Sequence, residues 1–210
     1  LIRLLVEYGA DIKSVEMTWV FDAWDPKIIE YFIEQGADVE TGYPLAASLC
    51  WKIRTALGVF KRHKDRFPTF QDQVNMALRN HCTEGNLKWV SLLLWAGADP
   101  FAKGPLSPDE ELDPDDEELN ALEYAALYGR FDIFKLKQIK LEPNRPETRQ
   151  LIRETCHSGN ADFLKELMKK GFNPIDQEDG GSSLIQSLIQ GMGYALDFDL
   201  YREIRRKNID

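Results

Sequence analysis

The sequence contains the tripeptide Gly-Ala-Asp three times, at residues 9–11, 36–38 and 97–99, and each copy follows a short apolar segment. A glycine that ends a helix in the left-handed conformation accounts for one such ending. Three endings of the same kind indicate a unit that recurs along the chain. A recurring unit restricts the fold to architectures that are built by stacking.

The spacing of later glycines indicates what this unit contains. Gly85 and Gly97 lie 12 residues apart, and so do Gly159 and Gly171. Apolar residues recur at helical spacing between the glycines of each pair, and another helical stretch precedes each opening glycine. The unit is therefore predicted to be a helical hairpin of about 30 residues, a period typical of repeat proteins.

Two segments resemble the ankyrin repeat. Residues 85–99, GNLKWVSLLLWAGAD, follow the pattern of that family's second helix and the turn after it. Residues 120–129, NALEYAALYG, are similar to the T-P-L-H-x-A-A-x-x-G motif, and looser copies of its start lie at 43–46 and 182–185. The resemblance implies an all-α fold, an ankyrin-type solenoid of helical hairpins with irregular repeats.

The whole chain, 1–210, is predicted to form one domain. Its units are a half unit at 1–14, full units near 15–42, 43–67, 68–103, 119–143, 144–175 and 180–207, and an acidic loop insertion at 104–118. Trp24 stands where the second unit should have its central glycine, and Arg79 and Arg153 occupy the histidine position of T-P-L-H. In the two units that contain these arginines, 68–103 and 144–175, the first helices are expected to begin after Thr69 and near Pro146.

Composition places the chain among water-soluble proteins of a reducing compartment. Hydrophobic residues make up 43% of the chain, which suffices for a packed core, and no apolar run approaches the roughly 18 residues of a membrane helix. The chain starts inside an apolar pattern, so it is expected to be a fragment of a longer one. Cys50, Cys82 and Cys156 are an odd number at irregular spacing, which favours an intracellular, cytoplasmic location.

The acidic charge is confined to one segment. Nine acidic residues and no Lys or Arg lie between Gly104 and Gly129, and the rest of the chain has 26 acidic and 26 basic residues. The run at 109–119, DEELDPDDEEL, lacks the alternating ligands and central glycine of a calcium loop. It is interpreted as a solvated insertion that its own repulsion keeps extended, with contact to a basic partner as the alternative.

No metal or cofactor is predicted. The pairs His81-Cys82 and Cys156-His157 look like halves of a metal site, but Cys82 and Cys156 fall at the second Ala of A-A-x-x-G, where side chains are small and buried. The unit that holds Ala126 separates them, which puts them about 16–20 Å apart at the usual helix spacing. That distance excludes both a disulfide and a shared metal ion.

The sequence also lacks the signs of an enzyme. No nucleophile, base and orienting group are placed to converge, and EDGGSS at 178–183 has no phosphate-binding lysine. The basic run FKRHKDR at 60–66 offers Lys61, Arg62, Lys64 and Arg66 to nucleic acid. Nucleic-acid contact ranks low because the run is short and its cations also stabilise the dipole at a helix end.

The aromatic residues divide between core and surface. Trp89 is expected in the core, and Trp95 is expected to be partly exposed. Tyr124, Leu127 and Tyr128 fall at variable positions of the ankyrin pattern, along the groove that the family uses for binding. Their rings are either anchors for a partner or packing between repeats, and the sequence leaves both readings open.

The predicted function is non-catalytic recognition of a folded protein through the concave groove and finger tips. A partner with a basic surface is one that the acidic insertion would suit. The predicted contact residues are Thr83, Glu84, Glu123, Tyr124, Leu127, Tyr128, His157 and Ser158, together with Asp113, Asp115, Asp116, Glu117 and Glu118 of the insertion. The alternative is a rigid structural or oligomerisation arm of a larger effector or defence protein.

Overall fold

The computed structural model describes residues 1–108, 110, 118–143, 150–172, 186 and 188–192. Its α-helices are α1 (Ile2–Glu7), α2 (Met17–Asp22), α3 (Pro26–Glu34), α4 (Pro44–Cys50), α5 (Arg54–His63), α6 (Phe70–Glu84), α7 (Leu87–Ala96), α8 (Ala121–Leu127), α9 (Leu151–His157) and α10 (Ala161–Lys169). Two 3₁₀ helices lie at Ile12–Ser14 and Phe131–Lys135. The described residues include no strand, so the prediction of an all-α protein is confirmed.

The helices from α2 onward are arranged in two rows. In the first row, α2, α4, α6, α8 and α9 each pack against the next. In the second row, α3, α5, α7 and the second 3₁₀ helix do the same, and Phe163 of α10 extends this row against Phe131 and Phe134. Each first-row helix also packs against the helix that follows it in the chain. One cluster of buried apolar side chains runs from Ile12 to Phe172 and includes residues of all these helices.

Left-handed residues connect each first-row helix to its second-row partner. Gly85, Gly129 and Gly159 have φ of +74°, +68° and +70°. Trp24 and Lys52 occupy the same turn in the two earlier helix pairs, with φ of +57° and +68°. A residue with a Cβ atom pays about 1–2 kcal/mol in this conformation, so the two earlier turns are strained where the later ones are not.

The expected helix start after Thr69 is confirmed, because α6 begins at Phe70. The start expected near Pro146 lies outside the described residues. Within them, α9 begins at Leu151. In the unit at 119–143 the second helix is only a short 3₁₀ helix, in which Ile133 and Phe134 alone are buried. This small buried surface is not enough to stabilise a longer helix, because most helical stability in proteins comes from packing.

Burial agrees with the expectations for small and aromatic side chains. Cys82, Ala126 and Cys156 are buried, and all three cysteines of the chain have free thiols. Trp89 is buried, and Trp95 is 66% exposed. Within the described ranges, every helix is too short or too polar to cross a lipid bilayer. The unit predicted at 180–207 falls almost entirely outside those ranges.

Candidate partner-binding surface

The last turn of each first-row helix presents side chains next to the left-handed turn. Six of the predicted contact residues occupy the two positions before the turn glycine, namely Thr83 and Glu84, Leu127 and Tyr128, and His157 and Ser158. Because α6, α8 and α9 pack in sequence, these three pairs lie side by side. Glu84 is exposed, Tyr128 is 50% exposed, and the other four are partly buried. We call these six residues, with Trp51 at the matching position of α4, the turn-end surface.

Two predicted contact residues lie inside the protein instead. Glu123 is 1% exposed, and its Oε2 accepts a hydrogen bond from the Asn120 amide at 2.8 Å. Asn120 in turn accepts from the amides of Leu122 and Glu123, which completes a capping box at the start of α8. Tyr124 is also buried, and burial raises its pKa to about 12. The prediction that Glu123 and Tyr124 contact a partner is therefore corrected: both side chains are buried, and Glu123 caps the start of α8.

Three exposed tryptophans were missed by sequence reasoning. Trp19, Trp24 and Trp51 are 72%, 56% and 60% exposed. Trp51 immediately precedes the left-handed Lys52, so its position matches that of Tyr128 before Gly129. The missing glycines at Trp24 and Lys52 hid this match. The motif start at 43–46, counted forward to residue 52, could have revealed it.

A polar group lies behind the turn-end surface, between α4 and α6. Glu84 Oε2 lies 3.3 Å from Lys52 Nζ and 3.4 Å from Nδ1 of the buried His81. Burial by itself would raise the pKa of Glu84, but neighbouring groups, Lys52 first among them, outweigh it and lower that pKa. The Nε2 atom of His81 lies 3.0 Å from the Leu49 carbonyl oxygen, so this nitrogen carries the proton of the neutral ring. Burial lowers the pKa of His81, which keeps the ring neutral at pH 7.

Cys50 is the one half-buried thiol near this polar group. Burial raises its pKa to about 12, and the charge of Glu84 adds to that effect. A nucleophilic cysteine requires the thiolate, which a cationic neighbourhood favours and a carboxylate disfavours. The arrangement around Cys50 therefore keeps the thiol protonated.

The base of the acidic insertion is held by a buried arginine. Arg79, at the histidine position of the motif, donates from Nε to the Pro105 carbonyl at 2.9 Å and from Nη1 to the Ala102 carbonyl at 3.1 Å. The amide of Gly104 donates to the Leu119 carbonyl at 3.2 Å, which brings the two ends of the insertion together. Of the predicted acidic contacts, Glu118 is exposed, and those at Asp113, Asp115, Asp116 and Glu117 lie outside the described residues.

The basic run is largely engaged within the protein. Arg62 and His63 both contact the carboxylate of Glu30, with His63 Nε2 at 2.7 Å from Oε2. Lys61 Nζ lies 3.2 Å from the centre of the Trp95 ring. Lys64 and Arg66 are exposed on the turn that follows α5, and Arg66 lies over the ring of Phe67. All four cations are exposed, but three of them already contact a carboxylate or an aromatic ring of the same protein, which leaves a small footprint for a nucleic acid.

Among the described residues, no three His, Cys, Asp or Glu side chains lie close enough together to hold a metal ion. No protein-family model matches the chain, and no curated protein matches it either.

Proposed function

We propose that the chain is an ankyrin-type solenoid that recognises another protein through its turn-end surface. Three features support the architecture. Helix pairs follow one another along the chain, both rows pack in sequence, and a left-handed residue recurs at the turn within each pair. Stacked helical hairpins of this kind offer an extended surface made of equivalent positions from successive repeats.

The observation that carries the recognition proposal is the exposure of large aromatic side chains at these equivalent positions. Trp51 and Tyr128 precede the turns of α4 and α8 and keep 60% and 50% of their surface exposed. Glu84 lies between them on α6. Tyr and Trp dominate binding hot spots because they bury a large rigid surface and retain a polar group for hydrogen bonding.

A non-catalytic role is part of this proposal. The half-buried thiol of Cys50 is kept protonated, and the imidazole of His81 is buried beneath the surface with its ring stacked on Trp89 at 5.4 Å. Neither group is placed to attack a substrate. The acidic insertion would attract a partner with a basic surface and accelerate encounter more than it would strengthen the final complex. Free thiols at Cys50, Cys82 and Cys156 are compatible with a reducing cytoplasm.

A second candidate function is a structural or oligomerisation arm, and α1 is the observation that favours it. No residue of α1 is buried, and Leu4 and Leu5 are half exposed although the helix is mostly apolar. An apolar helix without a cover indicates contact with further protein. This contact would lie beside α3, because Arg3 of α1 lies over the Tyr31 ring of that helix.

Affinity capture with surface variants tests the recognition proposal. The double variant Trp51→Ser/Tyr128→Ser should lose proteins that the original chain captures from extract of its own organism. Trp95→Ser is the matched control, because Trp95 is equally exposed but lies on the second row. The same captured set for all three proteins would refute recognition through this surface.

The arm is tested by sedimentation. Leu4→Lys/Leu5→Lys should abolish self-association if α1 is the contact. If the original chain sediments as a monomer at all concentrations, self-association through α1 is refuted.

A further inference from the structure

Cations of the protein cover several of its own aromatic rings. Three pairs show this, with the distance from the cationic atom to the ring centre in each case: Lys61 over Trp95 at 3.2 Å, Arg66 over Phe67 at 4.9 Å and Arg3 over Tyr31 at 5.4 Å. A cation over the face of an aromatic ring is attracted by the negative charge of that face.

The three tryptophans of the first two helix pairs are left without such a cover. Trp19, Trp24 and Trp51 are each more than half exposed, and none has a cation over its ring among the residues that the structure describes. Trp24 and Trp51 lie at the same ends of α2 and α4, which pack against each other. We call these three residues the tryptophan patch.

The backbone at the patch is strained at two positions that have large side chains. Trp24 and Lys52 hold left-handed conformations for which the later helix pairs use glycine. Glycine at either position would relieve the strain, at about 1–2 kcal/mol per residue. Strain of this kind persists at sites where the side chain has a function, so an observed outlier is a reason to look for one.

Carboxylates lie along the α2 side of the patch. Glu16 Oε2 accepts a hydrogen bond from the indole nitrogen of Trp19 at 3.1 Å, and Asp22 is exposed one turn after Trp19 on the same helix. Residues 11–25 contain four acidic side chains and one lysine. At the other end of the patch, Glu84 is held next to Lys52, beside Trp51. At the α2 end the local charge is therefore negative and attracts cations, whereas beside Trp51 the exposed Lys52 and Arg54 offset Glu84.

We propose that the tryptophan patch binds arginine side chains from an extended basic segment of the partner protein. Each guanidinium would stack on one ring, and those on α2 would also donate hydrogen bonds to the carboxylates there. Arginine fits better than lysine, because its planar group stacks on aromatic faces and is more weakly hydrated. This inference rests on the proposed function and names the chemistry of the partner at one end of the same surface.

Synthetic peptides test the proposal. The probe is a peptide of four arginines that alternate with glycine, and its neutral counterpart has citrulline in place of arginine. Binding to the 210-residue chain is measured by calorimetry at about 0.15 M salt, where contacts beyond a Debye length are screened. The original chain should bind the arginine peptide at least tenfold more tightly than the citrulline peptide.

Variants separate the patch from the overall negative charge. The triple variant Trp19→Leu/Trp24→Gly/Trp51→Leu keeps every charge and should bind the arginine peptide about 10- to 100-fold more weakly, because each exposed cation–π contact contributes about two- to fivefold. Trp95→Leu should bind as the original chain does, since Lys61 already covers that ring. Equal binding by the triple variant would show attraction by net charge alone and would overturn the proposal. If the triple variant is unfolded by circular dichroism, the single variant Trp51→Leu decides, with a loss of at least twofold expected.

The outcomes also separate this inference from the proposed function. Protein capture that depends on Trp51 and Tyr128, together with no preference for the arginine peptide, overturns the arginine segment and leaves protein recognition standing. A preference for arginine through the patch, with no captured protein depending on it, supports the chemistry and contradicts the function. Dimers that the triple variant abolishes would identify a second copy of the chain as the occupant and would overturn the basic partner.

Discussion

The side chain of Gln73 supplies a helix cap that α4 cannot provide for itself. The residue before α4 is Tyr43, which has a left-handed backbone and no capping side chain. Gln73 of the next first-row helix reaches across, and its Oε1 accepts hydrogen bonds from the amides of Leu45 at 2.9 Å and Ala46 at 3.3 Å. Helix α4 therefore begins correctly only when α6 is packed against it.

The other end of the same amide is also fully used. Its Nε2 donates to the Val39 carbonyl at 3.0 Å and to Thr69 Oγ1 at 2.9 Å. Gln73→Ala would leave two buried amides and one carbonyl without partners, because Val39, Leu45 and Ala46 are all buried. A buried polar group left unsatisfied costs about 1–3 kcal/mol, so with three such groups the free energy of unfolding should fall by at least about 3 kcal/mol.

Urea unfolding followed by circular dichroism measures this loss. The matched control is Gln71→Ala, two residues earlier on α6, whose amide also makes two hydrogen bonds, to Asn75 Oδ1 and the Gly97 carbonyl, but is partly exposed. The control should cost about 1 kcal/mol. Exchange of the Leu45 and Ala46 amides with solvent should also accelerate in Gln73→Ala. A loss below about 1.5 kcal/mol, or one equal to that of the control, would refute the reasoning.

Three further predictions concern buried side chains. Leu93→Ala should lower the free energy of unfolding by about 2–5 kcal/mol in urea, because Leu93 is fully buried, and a loss below about 1 kcal/mol would contradict the repeat register. Cys82 and Cys156 should label slowly with thiol reagents in the folded protein and form no disulfide with each other, because burial raises the pKa of both thiols. Timed labelling and mass spectrometry check this prediction, and rapid labelling of both cysteines would overturn it. Burial lowers the pKa of His81 below the 6.5 of the unfolded chain, so the unfolded state takes up the proton first and stability should fall as the pH drops through 6.5. Comparison of urea midpoints at pH 5 and 7.5 between the original chain and His81→Gln should show a smaller pH response in the variant, and an identical response would exclude His81 as the cause.

Local patterns in the sequence were sufficient to predict the helical hairpins and the small buried positions. Glycine at a turn and apolar residues at helical spacing act within one unit, so Gly85, Gly129 and Cys82 could be assigned without knowledge of their neighbours. The all-α class followed from the same signals.

Contacts between units could not be predicted in this way. Gln73 and Arg79 look like ordinary polar positions of α6, and only the packed structure shows that they bond to the segments before and after it. Glu123 was predicted to contact a partner, but it is buried. The spacing of Asn120 and Glu123 is that of a capping box, and this signal could have assigned Glu123 to the start of α8.

The closed base of the acidic insertion makes this position suitable for a graft. Because Arg79 holds Ala102 and Pro105, and Gly104 bonds to Leu119, the chain enters and leaves the insertion at one fixed point. Lengthening a loop whose ends are fixed costs little, about 0.6 kcal/mol for each doubling. A small folded domain with adjacent termini could therefore be spliced between the two ends while α7 and α8 keep their places. The protein would then carry a reporter at the start of α8, at the opposite end of that helix from the turn-end surface.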